Sequence, residues 1–528
     1  MMHAQRFVGG PWRTCAMWCA SACVVWTTAC GGAQSGAQSG SSAPSSTSSV
    51  KTPASAEAGS GPAGSQCAAC AGCAKGQATC GVKPPPSATP KDVRFPPVAR
   101  GTLSNGLEVN TATWSVLPIV NVVLVIKGGE SNDPKGLPGV AHVVASMLKE
   151  GTKKRNSEKL AESIEFLGAT LHVRATEDAV IISMHTLKQH LPTALSILSE
   201  VVTQPSFDDV ELAKLKRREL DRLALAANDP GFLVMREFYK GVYGDHPYGT
   251  VDTTPEALAQ INRDRLVQWH KQYVVPSNAF FVVVGDVQPE AAESSIQRAF
   301  ASWSKGSAPR ISHAAPPTRS TREVVIVNRP SSVQTVLWMG NLALPRSNPD
   351  YIPMLVANQV LGGSAASRLF MDLREKRSLT YGAYSSVGTR LDVAPFLARA
   401  SVRTAVTAEA MQAFMEHLQS MVNKPVPETE LAEAKRYLSD SFPLRMDTPA
   451  EIASHIAELR LYGLADDYWD TFRSKIRAVT AQQVLEASRK YIQPERMLVV
   501  AVGKASDIEK PLSRYGKVTR VESKPERR

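Results

Sequence analysis

Beyond residue 91 the chain alternates between apolar runs of strand length and apolar stripes of helical period. "VNVVLVIKGG" holds the apolar run Val122–Ile126 and ends in two glycines, which predicts a buried strand. "SEKLAESIEFLGA" spaces Leu160, Ile164 and Leu167 as one stripe of an amphipathic helix. "ATLHVRATEDAVIISMHTL" predicts two strands with a turn near Glu177–Asp178. "LPTALSILSEVVTQ" and "VELAKLKRRELDRLALAA" predict helices. "TTPEALAQI" predicts another, with Thr254 as its cap and Pro255 at its first helical position. "NAFFVVVGDV" closes the block as a strand.

The same order then returns. "VQTVLWMG" predicts a strand and "PDYIPMLVANQVLGG" a helix stopped by glycine. "LTYGAYSSV" and "PFLARASV" are strand-like, three helical stretches follow, and "RMLVVAVGKA" is a closing strand. Tyr273 and Tyr491, Pro276 and Pro494, and Gly285 and Gly503 all share one offset of 218 residues. A constant offset across a helix–turn–strand unit predicts duplication. The expected class is α+β: two duplicated domains, each a mostly antiparallel sheet with helices packed on one side. They are expected over residues 93–305 and 320–512, with a linker at 306–319 and a basic tail at 513–528.

Composition adds bounds. A chain of 528 residues allows two or three domains. The net charge of +11 is scattered, and its densest runs, "KLKRREL" and "LREKRS", lie on amphipathic helical patterns. With no binding motif beside the charge, no nucleic-acid partner is expected.

The first thirty residues carry Arg6 and Arg13, then an apolar stretch too short to span a membrane comfortably, then Cys30. This pattern resembles a bacterial lipoprotein signal with Cys30 lipidated, which implies a membrane anchor and a place in the cell envelope. Plain secretion with cleavage nearby is the alternative. Residues 31–92 are rich in Ser, Ala, Gly and Pro and read as a flexible tether. Within it lie Cys67, Cys70, Cys73 and Cys80. Their spacing suits two local disulfides in an oxidising compartment, or a metal or iron–sulfur cluster. No cysteine follows Lys91, so the body has no thiol nucleophile.

The candidate chemistry lies in the body. "LSNGLEV", "GLPGVAHVVASMLKEGT", "IEFLGATL", "GDHPYG", "YVVPSNAFFVVVGDV" and "LGGSAASRLFMDLREKRSLTYGAY" occur in this order. Together with the duplication they resemble the pitrilysin/insulinase metallopeptidases, in the short two-domain type related to mitochondrial processing peptidase. Active members carry H-x-x-E-H where this chain has "HVVAS". In that motif two imidazoles one helical turn apart hold Zn²⁺, and the glutamate between them acts as base on the bound water. A second helix adds a carboxylate ligand. Here His142 is kept, Ala145 stands for the base, Ser146 for the second histidine, and Arg222 for the carboxylate. Glu219 and Asp221 are close enough in sequence to replace Arg222. Taken alone, His142 reads as a satisfied, partly buried helix histidine.

The resemblance therefore implies no zinc in this chain. Arg374 and Tyr381, in "LREKRSLTY", match a family pair that contacts the substrate carbonyl, where a guanidinium and a phenol can stabilise developing negative charge. The ordinary alternative is a solvated helix charge and a core strand residue. The function implied is the complementary, substrate-binding subunit of a heterodimeric envelope peptidase. It would be inactive alone, act on extended peptide, and pair with a homologous subunit that brings the zinc. A non-catalytic scaffold and a peptide-binding lipoprotein are the alternatives.

Overall fold

The computed structural model describes residues 94–309 and 312–522. The signal-like segment, the tether, Cys30, Cys67, Cys70, Cys73 and Cys80 lie outside the described residues. The body forms two six-stranded sheets. The first contains β1 (Ala99–Thr102), β2 (Glu108–Thr113), β3 (Ile119–Lys127), β4 (Thr170–Ala175), β5 (Ala179–Leu187) and β6 (Ala279–Gly285). The second contains β7 (Glu323–Asn328), β8 (Gln334–Leu344), β9 (Thr380–Val387), β10 (Ala394–Arg403), β11 (Leu498–Gly503) and β12 (Lys517–Glu522). Their orders are β1-β2-β6-β3-β5-β4 and β12-β7-β11-β8-β10-β9.

The two orders are the same topology apart from one outer strand. β1 enters from the N-terminal side, antiparallel to β2, whereas β12 returns from the C-terminal end, parallel to β7. Each sheet is otherwise antiparallel except beside its closing strand, where β2 runs parallel to β6 and β7 parallel to β11. The offset of 218 marks real element ends. Gly285 and Gly503 terminate β6 and β11, and Pro276 and Pro494 open the turns before them. Residues 517–522, grouped by charge with the basic tail, are instead the edge strand β12. Their Val518 and Val521 are half-buried against the sheet, which a count of charges does not reveal.

The first half carries helices α1 (Val140–Met147), α2 (Ser157–Phe166), α3 (Leu191–Thr203), α4 (Asp209–Ala226), α5 (Pro230–Tyr243), α6 (Pro255–Gln260), α7 (Arg263–Tyr273) and α8 (Pro289–Ala299). The second carries α9 (Tyr351–Leu361), α10 (Arg368–Phe370), α11 (Thr407–Asn423), α12 (Glu428–Asp440), α13 (Pro449–Leu461), α14 (Tyr468–Ala478), α15 (Ala481–Tyr491) and α16 (Ala505–Leu512). Thr254 caps α6 as its sequence predicts, accepting from the Ala257 N–H with Pro255 at the first position.

The continuous apolar run Val122–Ile126 in β3 has a tertiary cause. Val120, Val122, Leu124 and Ile126 face the core made with α1, α3, α4 and α7. Val123 and Val125 point the other way and join a core built largely from the second half. There α13 lies across β3 and β6, and reciprocally α5 lies across β8 and β11. Leu233, Val234 and Phe238 of α5 pack with Leu498, Val500 and Val502. Each sheet thus has its own helices on one face, as expected, and one helix borrowed from the opposite half on the other. A strand buried on both faces has no polar side to alternate with.

Candidate functional site

Helix α1 begins at Gly139, whose φ of +98° is a left-handed conformation that favours glycine. A Cβ there would also lie 2.6 Å from the Thr253 side chain. Asp133 accepts the N–H groups of Gly139 and Ala141 at 2.6 and 2.8 Å and so caps the helix. Residues 142, 145 and 146 share one face of α1. Ala145 is 1% exposed and packs in the core. His142 is left partly open, its side chain 36% exposed.

Opposite stands α4, whose first turn is capped by Asp208. It brings Glu219 to 3.4 Å from His142 Nε2, while Glu130 lies 3.9 Å from Nδ1. Arg222, one turn beyond Glu219, donates to it at 2.7 Å and grips Asp252 with two bonds of 2.7 Å. Asp221 is exposed. Among the three residues the sequence left open, Glu219 is therefore the one that meets His142, and Arg222 fills the adjoining space as a paired cation.

The electrostatics follow. The His142 bond, with Arg222 behind it, holds the Glu219 carboxyl down at about 2. The same bond, with the charge of Glu130, raises His142 above its ordinary value. Glu130 is pushed up to about 7 by burial and by the nearby charge of Glu177. Glu130, Asp133, His142, Asp252 and Thr253 line a small polar recess. A catalytic zinc site needs three protein ligands and an open position. One imidazole, the carboxylate at its Nε2 and a guanidinium bonded to that carboxylate do not fit it, and Glu130 meets the other ring nitrogen. Among the described residues no group of three His, Cys, Asp or Glu side chains could hold a metal ion.

The second cluster is built from irregular backbone. α10 runs directly into a π-helical turn over Met371–Lys376, which carries Arg374. Ser378 has φ +52°, rare for a residue with a side chain. β9 then bulges against β10 where Tyr381 stands, between the Ala383 and Thr380 pairings. π-turns, bulges and left-handed residues each cost stability and concentrate at sites that must aim a side chain. Here they set Arg374 and Tyr381 together: the guanidinium donates to the Tyr381 carbonyl at 2.5 Å and sits 5.9 Å from its ring centre. Tyr381 is 86% exposed, so it is no core residue. Asp372 braces the turn by accepting from His417 at 2.9 Å and pairing with Arg377 at 3.2 Å.

Sequence reasoning missed a third cluster, at the seam between the halves. Arg390, 8% exposed, pairs with Glu177 at 2.5 Å and lies over the rings of Tyr248 and Tyr239. The Tyr248 hydroxyl donates to Asp178, whose other oxygen accepts the Leu391 N–H at 3.0 Å. "GDHPYG" was the available signal, since it places Tyr248 here, but nothing local marks Arg390 as its partner.

Residues 111–248 match the family model for insulinase (peptidase family M16), and residues 260–438 match that of the peptidase M16 inactive domain. Together they span more than half of the chain. The chain belongs to the insulinase (M16) peptidase family. An uncharacterized zinc protease of Mycobacterium leprae is 26% identical over 403 residues, 75% of this chain and 89% of that one. An uncharacterized zinc protease of Bacillus subtilis is 22% identical over 76% of this chain and 98% of its own length. A crystal structure described as a peptidase M16 inactive domain from Pseudomonas fluorescens is 28% identical, with a TM-score of 0.73, over 77% of this chain and 98% of that one. A protease structure from Helicobacter pylori, 18% identical with a TM-score of 0.72, shares the fold. This chain is thus an inactive-type M16 protein related to zinc proteases.

Two predictions arise from the first cluster. A chain truncated to begin at Lys91, free of the tether cysteines, should bind no stoichiometric zinc by metal analysis. Ala145→Glu with Ser146→His should not suffice to create a zinc peptidase, because Arg222 ties up Glu219. Adding Arg222→Ala frees Glu219 and should bring about one zinc per chain. One tightly held zinc in the unaltered body, lost on His142→Ala, would overturn this.

The second concerns protons. His142 should titrate above the ordinary histidine value of about 6.5 in histidine-labelled NMR, and fall on Glu219→Gln. Because its folded pKa is raised, its contribution to stability is complete below pH 6.5 and lost as pH rises through the folded value. Glu219, lowered to about 2 from 4.5, contributes above pH 4.5 and loses that contribution as pH falls towards 2. The pair is therefore strongest between these limits. A His142 midpoint indifferent to Glu219→Gln would show that the 3.4 Å contact does not form in solution.

Proposed function

We propose that this chain is the zinc-free, substrate-binding subunit of a two-subunit envelope peptidase, inactive alone and completed by a homologous subunit that carries the metal. The observation that carries this reading is the contrast between the two clusters. The α1–α4 face has been closed by an Arg222 network, while Arg374 and Tyr381 are kept side by side on costly backbone and left exposed. A guanidinium and a phenol so placed suit a peptide carbonyl acquiring negative charge.

Extended peptide is the substrate class. β4 ends its sheet, and among the described residues no backbone group pairs with its outer edge, so an added strand has room. The corresponding edge of β9 is taken up in part, since the Ser385 N–H donates to the Gly362 carbonyl at 2.9 Å. A lipid anchor at Cys30 would hold the pair at the membrane.

The test is co-expression with a zinc-bearing M16 homologue from the same genome, then size analysis, zinc content and peptide cleavage of the purified complex. Stable association with metal-dependent cleavage supports the proposal. A complex that forms but cleaves no better than the zinc subunit alone would favour a scaffold. Failure to associate with any such subunit, with binding of extended peptide retained, would replace it by a peptide-capturing lipoprotein.

A further inference from the structure

At the seam, one histidine is held in a form that acid would undo. His246 follows α5, its side chain only 2% exposed. Its Nδ1 accepts the backbone N–H of Tyr248 at 3.1 Å, which places the ring proton on Nε2. Nε2 faces Asp392 Oδ2 at 3.7 Å. His313, from the stretch between the two sheets, packs edge-on against the ring with centroids 5.5 Å apart. The Nε2 of His313 is buried without a hydrogen-bond partner among the described residues. Tyr243 stacks on His246 at 5.5 Å, and Tyr248 meets it edge-on at 4.8 Å.

A proton added at Nδ1 would set two donors against each other, the ring N–H and the Tyr248 N–H. The turn at Pro247–Gly249 would have to yield. Tyr248 is the residue that grips the other half: its hydroxyl donates to Asp178 and accepts the Asp392 N–H at 3.3 Å, and Arg390 lies over its ring at 4.8 Å. We propose that His246 is an acid-sensitive latch, whose protonation releases the 246–249 turn, the stretch around His313 and the loop carrying Arg390 and Asp392 together. The two halves then loosen at the seam.

The surrounding charges set the sense. Burial, then His313, and more weakly Arg390 oppose a charged ring, while Asp392 favours it; the net effect lowers His246 below its ordinary value. A lowered histidine costs the folded state stability as pH falls below 6.5. Asp178, raised to about 6 by burial, acts in the opposite sense, since its protonation favours the folded seam. Glu177 is held low against the Arg390 charge, and Tyr243 and Tyr248 are pushed up by burial, so none of the three titrates between pH 5 and 7.5.

The experiment is hydrogen–deuterium exchange of the full chain from pH 7.5 to 5, corrected for intrinsic rates. Segments 243–250, 312–319 and 388–394 should lose protection together as pH falls below 6.5, by up to about tenfold per pH unit, the limit for one proton, until protonation of Asp178 near 6 offsets further loss. The core strand β6 should not change. His246→Asn keeps an acceptor for the Tyr248 N–H but cannot titrate, so the loss should vanish. Asp392→Asn removes the group that favours the charged ring and lowers the folded value further, so the loss of protection on acidification should grow. Should the first variant fail to fold, that increase decides the matter. Constant protection down to pH 5, the same slope in His246→Asn, or an unchanged loss in Asp392→Asn would overturn the latch.

Discussion

Arg374→Ala, or Tyr381→Phe, in a complex with a zinc-bearing subunit is expected to lower peptide turnover by about 10²–10³-fold, with the complex itself intact. That is the usual cost of removing one donor to a developing oxyanion, roughly 3–4 kcal/mol. Neither side chain is needed for packing, since Tyr381 is 86% exposed and the Arg374 side chain 41% exposed. The effect should therefore fall on kcat rather than on folding or assembly. Arg374→Ala has a second consequence, because its guanidinium also ties down the Tyr381 carbonyl. Arg374→Lys keeps the charge without the fork and should recover only part of the loss. Unchanged turnover in both variants, in a complex of normal size, would exclude the pair from the chemistry and favour the scaffold.

Arg390→Met is expected to cost about 3 kcal/mol of folding stability. The change leaves Glu177 without its cation and strips a guanidinium from two tyrosine rings. The lower end of the usual range for breaking a buried pair applies, because the Glu177 side chain remains 36% exposed. Urea unfolding of the Lys91-start chain, followed separately by signals from the two halves, reads the result. Wild-type halves should unfold together, since α5 and α13 each lie on the other half's sheet. The variant should unfold at lower urea. An unchanged midpoint would mean that the exchanged helices hold the halves and that the Arg390 cluster adds little.

The limits of reading the sequence show at particular residues. Glu219, Asp221 and Arg222 lie within one turn of a charged helical pattern, and only the rotation of α4 against α1 decides that Glu219 faces His142 and Asp221 faces water. Tyr381 has the pattern of a strand residue, and a bulge turns it outward. Nothing local in α5 assigns its Leu233 and Phe238 to one sheet or the other, and the helix crosses to β8 and β11.

What the sequence alone determined was whatever depends on neighbours a few residues apart. The α+β class and the Thr254 cap are of this kind, because helix and strand periods repeat locally; the duplicated order, with Gly285 and Gly503 at matching strand ends, came from a repeated offset, and the vacated motif at Ala145 and Ser146 from the family resemblance. The tertiary structure alone decided the parallel return of Lys517–Glu522 to the sheet edge, the exchange of α5 and α13, and the partners of His142 and Arg390. His142 and Glu219 are 77 residues apart and Arg390 and Glu177 lie in opposite halves, so each pairing is set by how packed elements are rotated against one another, which no local pattern encodes.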